Sequence, residues 1–281
     1  MLQKSIVLSD ETFHQTFFSS YKAFINLGHH FINIALLDSV RKKYIYLASE
    51  HTETEWDYYS VNEVLKKHSI TNEIPDIRFI ISNQSVHILP ESFQINNDEQ
   101  NQIFKFVLGE KENSEIFTVK SKYHTLIQFS INQTTKQIIS EMPQIKLYHH
   151  AHALIGLSSW IDQKYNYKSS VYIHIYPKYF EVVVKNNNQL VLFNTYTFQN
   201  NDDVLYYLHW MIKNLEIDSK QNTFILSGWI DKKNELIKKM KEFNFSIEWA
   251  KFNPQAIYSY RFNELQSHQF ATLFSLPYEN Y

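Results

Sequence analysis

The chain has 281 residues, enough for one large domain or two lobes with separate cores. Its 44% hydrophobic and 16% aromatic content excludes a disordered polypeptide, and a formal charge of −2 offers no general attraction to nucleic acid or to an anionic membrane. With no cysteine there is no disulfide or thiolate metal site, and four glycines are too few for loops that close backbone N–H groups around phosphate.

Residues 1–20 are polar with three aromatics (Phe13, Phe17, Phe18) and read as an arm packed on the body. They contain no uninterrupted apolar stretch before small residues, and no window approaches the roughly 20 apolar residues of a membrane helix. The expectation is a soluble, cytoplasmic protein. Residues 21–28, 31–37 and 44–49 read as strands, with turns at His29-His30 and at Ser39-Val40-Arg41. Ser60 and Glu63 have the spacing of a capping box for a helix ending near Lys67. Residues 77–82 and 86–89 read as strands, the second closed by Pro90. Asn96-Asn97 opens a helix through Leu108, which Gly109 should end in a left-handed conformation. Strands at 115–119 and 125–131, a helix at 134–142, a strand at 145–148 and a helix at 151–163 complete the first half.

The second half opens on residues 170–195, where the period-two pattern is clearest. Val171, Ile173 and Ile175 alternate with Tyr172, His174 and Tyr176, and 180–184 is β-branched enough for a strand covered on both faces. Asn186-Asn187-Asn188 supplies the turn into a strand at 190–193, because Asn tolerates positive φ. Asn201 then caps a helix over 202–215 with Val204, Leu205, Leu208, Ile212 and Leu215 on one face. A strand at 223–226, a helix capped by Asp231 and running to about 243, a strand at 245–249 and a mostly helical tail over 254–276 follow.

The halves repeat. With His174 set over Asn26, an offset of 148 residues, apolar positions coincide without a gap: Phe24 with Tyr172, Ile25 with Ile173, Leu27 with Ile175, Phe31 with Tyr179, Ile34 with Val182. Residues 78–83 fall over 223–228 near the same offset.

This plan resembles the actin-like ATPase superfamily: actin, sugar kinases, chaperone ATPases and the actin-like proteins of pilus assembly and type II secretion. More narrowly, the chain resembles a family of uncharacterised bacterial proteins with that fold. The stretches carrying the resemblance are INLGHHFINIALLD (25–38), SVHILPESF (85–93), LYHHAHAL (147–154) and HQFATLFSLP (268–277). The resemblance implies an α/β, ribonuclease H-like fold of two duplicated lobes, each with a mixed five-stranded sheet and helices. The first would span 1–150 with its N-terminal arm, and the second 151–281 with a helical tail returning to the body.

In the superfamily each repeat opens on D-x-G, whose aspartate works through metal-bound water and whose glycine admits phosphate. Here the first repeat has Asn26-Leu27-Gly28, which keeps the glycine and replaces the carboxylate by an amide. The second has His174-Ile175-Tyr176, with neither group, and only Ser227-Gly228 stands where the adenosine-contacting turn has paired glycines. An amide ligates Mg²⁺ poorly beside a carboxylate. The resemblance therefore implies a degenerate nucleotide site at Asn26, Gly28, His174, Tyr176, Ser227 and Gly228.

Other clusters carry competing readings. His149, His150 and His152 are either a metal-binding group lacking an acidic third ligand or polar residues at a strand-to-helix junction. Asp38 and Glu181 are either repositioned acids or, for Asp38, an Asx-turn. Lys232-Lys233 and Lys238-Lys239, interleaved with Glu235 and Glu242, read as a solvated helix face. Tyr206, Tyr207, Trp210 and Trp229 either pack the core and rim or offer a stacking or partner surface. Two functions remain: a non-catalytic scaffold with a protein partner, no cofactor, no nucleic acid and no membrane insertion, or an ATP-binding protein or weak ATPase holding Mg²⁺-ATP through substitutes such as Asn26 and Asp38.

Overall fold

A run of antiparallel strands opens the chain: β1 (Ile6–Ser9), then after a 3₁₀ turn (Gln15–Ser20) β2 (Tyr21–Gly28), β3 (Phe31–Asp38) and β4 (Lys43–His51). The structure is a computed structural model describing residues 5–93, 96–109, 113–218 and 222–276. It divides into two units. Unit one runs to His152 and takes in Pro254–Leu265; unit two comprises Ala153–Asn253 and, of the described residues, 266–276.

Unit one continues with α1 (Tyr58–Lys67), β5 (Asp76–Ser82), β6 (Val86–Pro90), α2 (Asn97–Leu108), β7 (Glu115–Ser121), β8 (Thr125–Ile131), α3 (Gln133–Glu141) and β9 (Ile145–His149). Its main sheet has the order β1-β4-β3-β2-β5-β9, and a second sheet the order β6-β8-β7. Strands β2 to β4 pair antiparallel, whereas β5 and β9 join in parallel. Unit two holds most of α4 (His150–Tyr165), then β10 (Ser169–Ile175), β11 (Tyr179–Asn186), β12 (Gln189–Thr197), α5 (Asn201–Asn214), β13 (Thr223–Gly228), α6 (Glu235–Glu242) and β14 (Ser246–Trp249). Its sheet order, β12-β11-β10-β13-β14, reproduces the β4-β3-β2-β5-β9 part of the first.

The repeat holds in detail. At the 148-residue offset β3 coincides end to end with β11, and each carries a bulge at the same place, between Leu36 and Leu37 and between Val184 and Lys185. A one-residue slip would exchange the two faces of every strand, and burial on both faces resists that. Val171, Ile173 and Ile175 pack with Leu205, Leu208 and Met211 of α5 and with Leu236, Ile237 and Met240 of α6. The opposite face of β10 is buried as well: Tyr172 donates its hydroxyl to Asp162 of α4 at 2.7 Å.

Asn187 and Asn188 make the β11–β12 turn with φ of 49° and 62°, as the asparagine run predicts. Gly109 also has positive φ, but with ψ of 158° it is not left-handed helical. Elsewhere the caps shift. Asp57, not Ser60, caps α1, because its carboxylate accepts from Ser60 N at 2.8 Å while Ser60 Oγ accepts from Asp57 N at 3.0 Å. Asn200 rather than Asn201 caps α5, and Asn234 rather than Asp231 caps α6; Asp231 instead closes a turn on Lys233 N.

Two expectations fail outright. The N-terminal arm contains β1, which adds to β4, so the main sheet of unit one exceeds five strands. The tail is not mostly helical: it has a two-residue strand, β15 (Ile257–Tyr258), a 3₁₀ turn (Tyr260–Glu264) and the four-residue α7 (Ser267–Phe270). Pairing of β15 with Lys43-Tyr44 of β4 holds that part of the tail extended, although Phe262, Phe270, Leu273 and Phe274 are buried as the pattern predicts. Pro277, the last residue of the 268–277 stretch, lies outside the described residues.

Candidate functional site

Asn26 sits near the C-terminal end of β2, buried, opposite Asn33 of β3, which in turn stands opposite Ser49 of β4. Asn26 Oδ1 accepts the Ser82 hydroxyl at 2.7 Å, and Asn33 Oδ1 accepts that of Ser49 at 2.6 Å. Gly28 follows, and a Cβ there would overlap the ring of buried Phe31. Its lack of a side chain thus makes room for a ring of the same hairpin.

The second turn repeats this with other residues. His174, opposite Glu181, places Nδ1 2.9 Å from Ser227 Oγ on β13. Tyr176 is buried and stacks on Tyr179 at 4.3 Å between centroids, with His174 at 4.6 Å on its other contact. Gly228 has φ of +89°, and a Cβ there would overlap the Ile175 carbonyl and stand 3.0 Å from His174 Nε2. Trp229 N donates to that same carbonyl at 2.7 Å. So His174, Tyr176, Ser227 and Gly228 come together within unit two, while Asn26 and Gly28 come together within unit one. In each, the first loop residue is hydrogen-bonded to a serine of the neighbouring parallel strand. Phe31 and Tyr179 coincide in the repeat, so an aromatic three residues beyond the loop in both halves was the available signal for this filling.

Beside the first turn, unit one has a cavity of about 360 Å³ bordered by Gly28, His29, Trp56, Ser82, Gln84 and Thr134, among others. No motif marked it, because its wall comes from turns after β2, β4, β5 and β8 that lie far apart in sequence.

The histidine cluster is built into the β9–α4 junction. All three histidines are fully buried. His149 accepts Ala151 N on Nδ1 at 3.0 Å and has Nε2 3.0 Å from the Asn83 carbonyl, so the backbone engages both ring nitrogens. Burial pushes His149 well below the usual histidine range and His152 down to about 4, leaving neutral rings. Among the described residues no group of three or more His, Cys, Asp or Glu is placed to hold a metal.

Asp38 closes an Asx-turn, accepting Val40 N and Arg41 N at 3.0 Å and pairing with the Arg41 guanidinium at 2.5 Å. Burial raises its carboxyl, but Arg41 and Val40 outweigh that and hold it below the usual range. Glu181 is fully buried in register with His174. Lys239 pairs with Asp202 and Lys238 with Glu235 on an exposed helix face. Tyr206 and Trp210 are exposed on α5, whereas Tyr207 stacks on Tyr196 at 4.7 Å. A polar cluster that the sequence did not suggest lies under β10 and β11: Asp162 of α4 stands 3.3 Å from Lys185 Nζ and accepts from Ser170 and Tyr172, all buried.

The model of a protein family described as "Protein of unknown function (DUF3822)" matches residues 10–247. Among curated proteins none matches. Among solved structures, a Bacteroides thetaiotaomicron protein with actin-like ATPase fold and unknown function superposes with a TM-score of 0.76 at 17% identity, covering 88% of this chain and 95% of its own. The PilM–PilN type IV pilus biogenesis complex matches with a TM-score of 0.62 at 9% identity, over 92% and 99% of the two chains. The ethanolamine utilization protein EutJ from Carboxydothermus hydrogenoformans matches at 0.50 and 6% identity, over 97% and 93%. The fold is that of actin-like ATPases. Among the described residues no helix is long and apolar enough to cross a membrane.

Proposed function

We propose that this chain, which belongs to the DUF3822 family of proteins of unknown function, is a non-catalytic actin-like scaffold that holds a protein partner and takes no nucleotide. The observation carrying this reading is that the protein's own rings fill both loops. Phe31 occupies the space over Gly28, and Tyr176 is packed between Tyr179 and His174. A phosphate approaching either loop must displace a buried ring, and it would meet an amide and an imidazole in place of two carboxylates. Mg²⁺ seeks anionic oxygen and gives up its water reluctantly. Asp38, the nearest substitute in sequence, is already spent on Arg41 and its own turn. A fold neighbour occurring in a complex, PilM with PilN, supports partner binding as a use of such a frame.

Thermal unfolding with and without Mg²⁺-ATP tests the reading. The expected result is no shift with millimolar nucleotide, for the native chain and for Asn26→Asp alike, since one carboxylate leaves both rings in place. Stabilisation approaching the roughly 2.7 kcal/mol expected at 100 times a dissociation constant would overturn it. In that event Asn26→Ala would report whether the amide is a working ligand.

A further inference from the structure

The repeat sets β12 in unit two where β4 stands in unit one. The outer side of β4 takes up β1 and β15, whereas no described strand pairs with the outer side of β12. Phe198 N donates to the Lys178 carbonyl at 3.0 Å, just beyond the pairing of Tyr179 with Thr197. Bonds alternate along an antiparallel pair, so Tyr196, Asn194 and Leu192 also bond inward to β11. Phe193, Thr195 and Thr197 therefore direct their N–H and C=O groups off the sheet. Thr195 shows this directly: Asn194 Oδ1 accepts its N–H at 2.8 Å, a side chain standing where a neighbouring strand's carbonyl would.

Exposed edges are ordinarily blunted by charge, proline or a bulge. Residues 186–201 contain no charged side chain and no proline. The bulge of β12, opposite Lys185, lies outside the regular stretch 192–198. The rim is apolar as well. Leu192, Tyr196 and Phe198 are only partly buried against the core of unit two, and a cavity of about 490 Å³ opens beside Thr197 and Phe198. Tyr206 and Tyr207 of α5 line it with Asp203, whose carboxylate is taken up by Gln199 N and Asn200 N. Tyr206 and, one turn on, Trp210 are 65% and 51% exposed.

We propose that β12 forms a two-fold interface with a second copy of this chain, the two strands pairing antiparallel into one continuous sheet. Centred on Thr195, the stretch 192–198 overlaps its copy end to end. Phe193 then faces Thr197, Asn194 faces Tyr196 and Leu192 faces Phe198. No like charges meet in this register, and that neutrality is what suits the edge to its own copy. A foreign strand would find no charge here to select it. Two-fold pairing also closes both edges at once, whereas a head-to-tail contact would leave one open. Tyr206 and Trp210 lie beside the joint and offer it further apolar surface. The inference goes beyond the scaffold reading and does not rest on it, since no residue of either nucleotide loop takes part.

Sedimentation velocity of the full chain between about 1 and 100 µM tests it. The native chain should form a dimer that grows no further. Thr195→Lys and Thr195→Glu each set like charges on the two-fold axis and should raise the dissociation constant about tenfold or more. An equimolar mixture of the two forms should dimerise again, because opposite charges then meet. Thr197→Pro removes an outward N–H and leaves the bonds to β11, so it should weaken the dimer without lowering the melting temperature of dilute protein. If either Thr195 form melts early, Thr197→Pro decides. A native chain still monomeric at about 100 µM, assembly beyond the dimer, a mixture of folded Thr195 forms that stays apart, or a dimer indifferent to these substitutions would each overturn the proposal.

Discussion

Strands β4 and β12 hold the same place in their sheets, beside β3 and β11, and they meet different surroundings. The outer edge of β4 is covered from Lys43 to Ser49, by β15 at Lys43-Tyr44 and by β1 from Tyr46 to Ser49, with Asp10 N bridging to the Ile45 carbonyl at 2.8 Å. Beyond β12 no described strand continues the sheet. The charges divide similarly. Unit one ties its edges with exposed-to-buried pairs, Asp10 with Lys43 at 2.7 Å and Glu50 with Lys67 at 2.6 Å, whereas unit two places one pair, Asp162 with Lys185, wholly inside. Duplicated strands buried on both faces keep their register, because any slip exposes apolar side chains. Edges and turns, where water can replace a lost partner, are free to differ.

The largest effect that would sharpen this contrast is at the buried pair. Asp162→Ala leaves Lys185 buried without its carboxylate and should cost about 3–5 kcal/mol in urea unfolding, while Asp162→Leu with Lys185→Met should cost far less or nothing. A small loss for Asp162→Ala would mean that Lys185 reaches solvent and that the units differ less than their geometry indicates. Next in size are the matched core positions. Ile34→Ala should lose about 2–5 kcal/mol and Val182→Ala about 1–3 kcal/mol, both being fully buried at equivalent places in β3 and β11. A loss of a few tenths at either would make that strand peripheral.

The glycines separate the turns. Gly228→Ala combines positive φ with a clash against the Ile175 backbone and should cost about 1–3 kcal/mol. The three atoms nearest a Cβ at Gly28 all belong to the Phe31 ring, so adding Phe31→Leu should relieve the cost of Gly28→Ala, whereas no single side-chain change should rescue Gly228→Ala. Equal rescue at both would erase the distinction.

Acidification should act earliest on unit one. Burial lowers the pKa of His51, His68, His87, His149 and His152 there, and of His268 in unit two. Each such ring has a folded pKa below its unfolded value, so as pH falls below about 6.5 the unfolded chain takes up protons first and stability declines. Below about pH 4 a further decline follows in unit one. Burial raises the Asp10 carboxyl, but Lys43, Ser259 and Thr12 outweigh it and hold it well below the usual range; Glu50 is held lower by Lys67 and Asp76 by Arg78 and Lys146, again against burial. Amide exchange compared at pH 7 and pH 5 should show protection lost first in β2–β5; parallel loss in β10–β13 would contradict this.

Much of the frame was legible from residues alone. Alternation in 171–176, the asparagine turn and the 148-residue match located β10, β11, β2 and β3 within a residue or two, and they set Asn26 and His174 at matching positions. Caps were readable as a class but not to the residue, since Asp57 and Ser60 compete for the same N–H groups and only packing decides where the first turn closes.

What the sequence determined by itself is what local chemistry dictates: period-two strands, amphipathic helices, turns that need asparagine, and a repeat with an amide and an imidazole at matching loop positions. Tertiary structure alone decided the cover on β4, the Asp162–Lys185 pair beneath β10 and β11, the rings laid over both loops and the cavity beside Gly28. A four-residue β1 and a two-residue β15 carry too little pattern to announce themselves, and each is a strand only because β4 offers it hydrogen bonds. Asp162 and Lys185 become meaningful only when the backbone brings α4 against β11, because burial and partnership belong to the assembled neighbourhood and not to any stretch of chain.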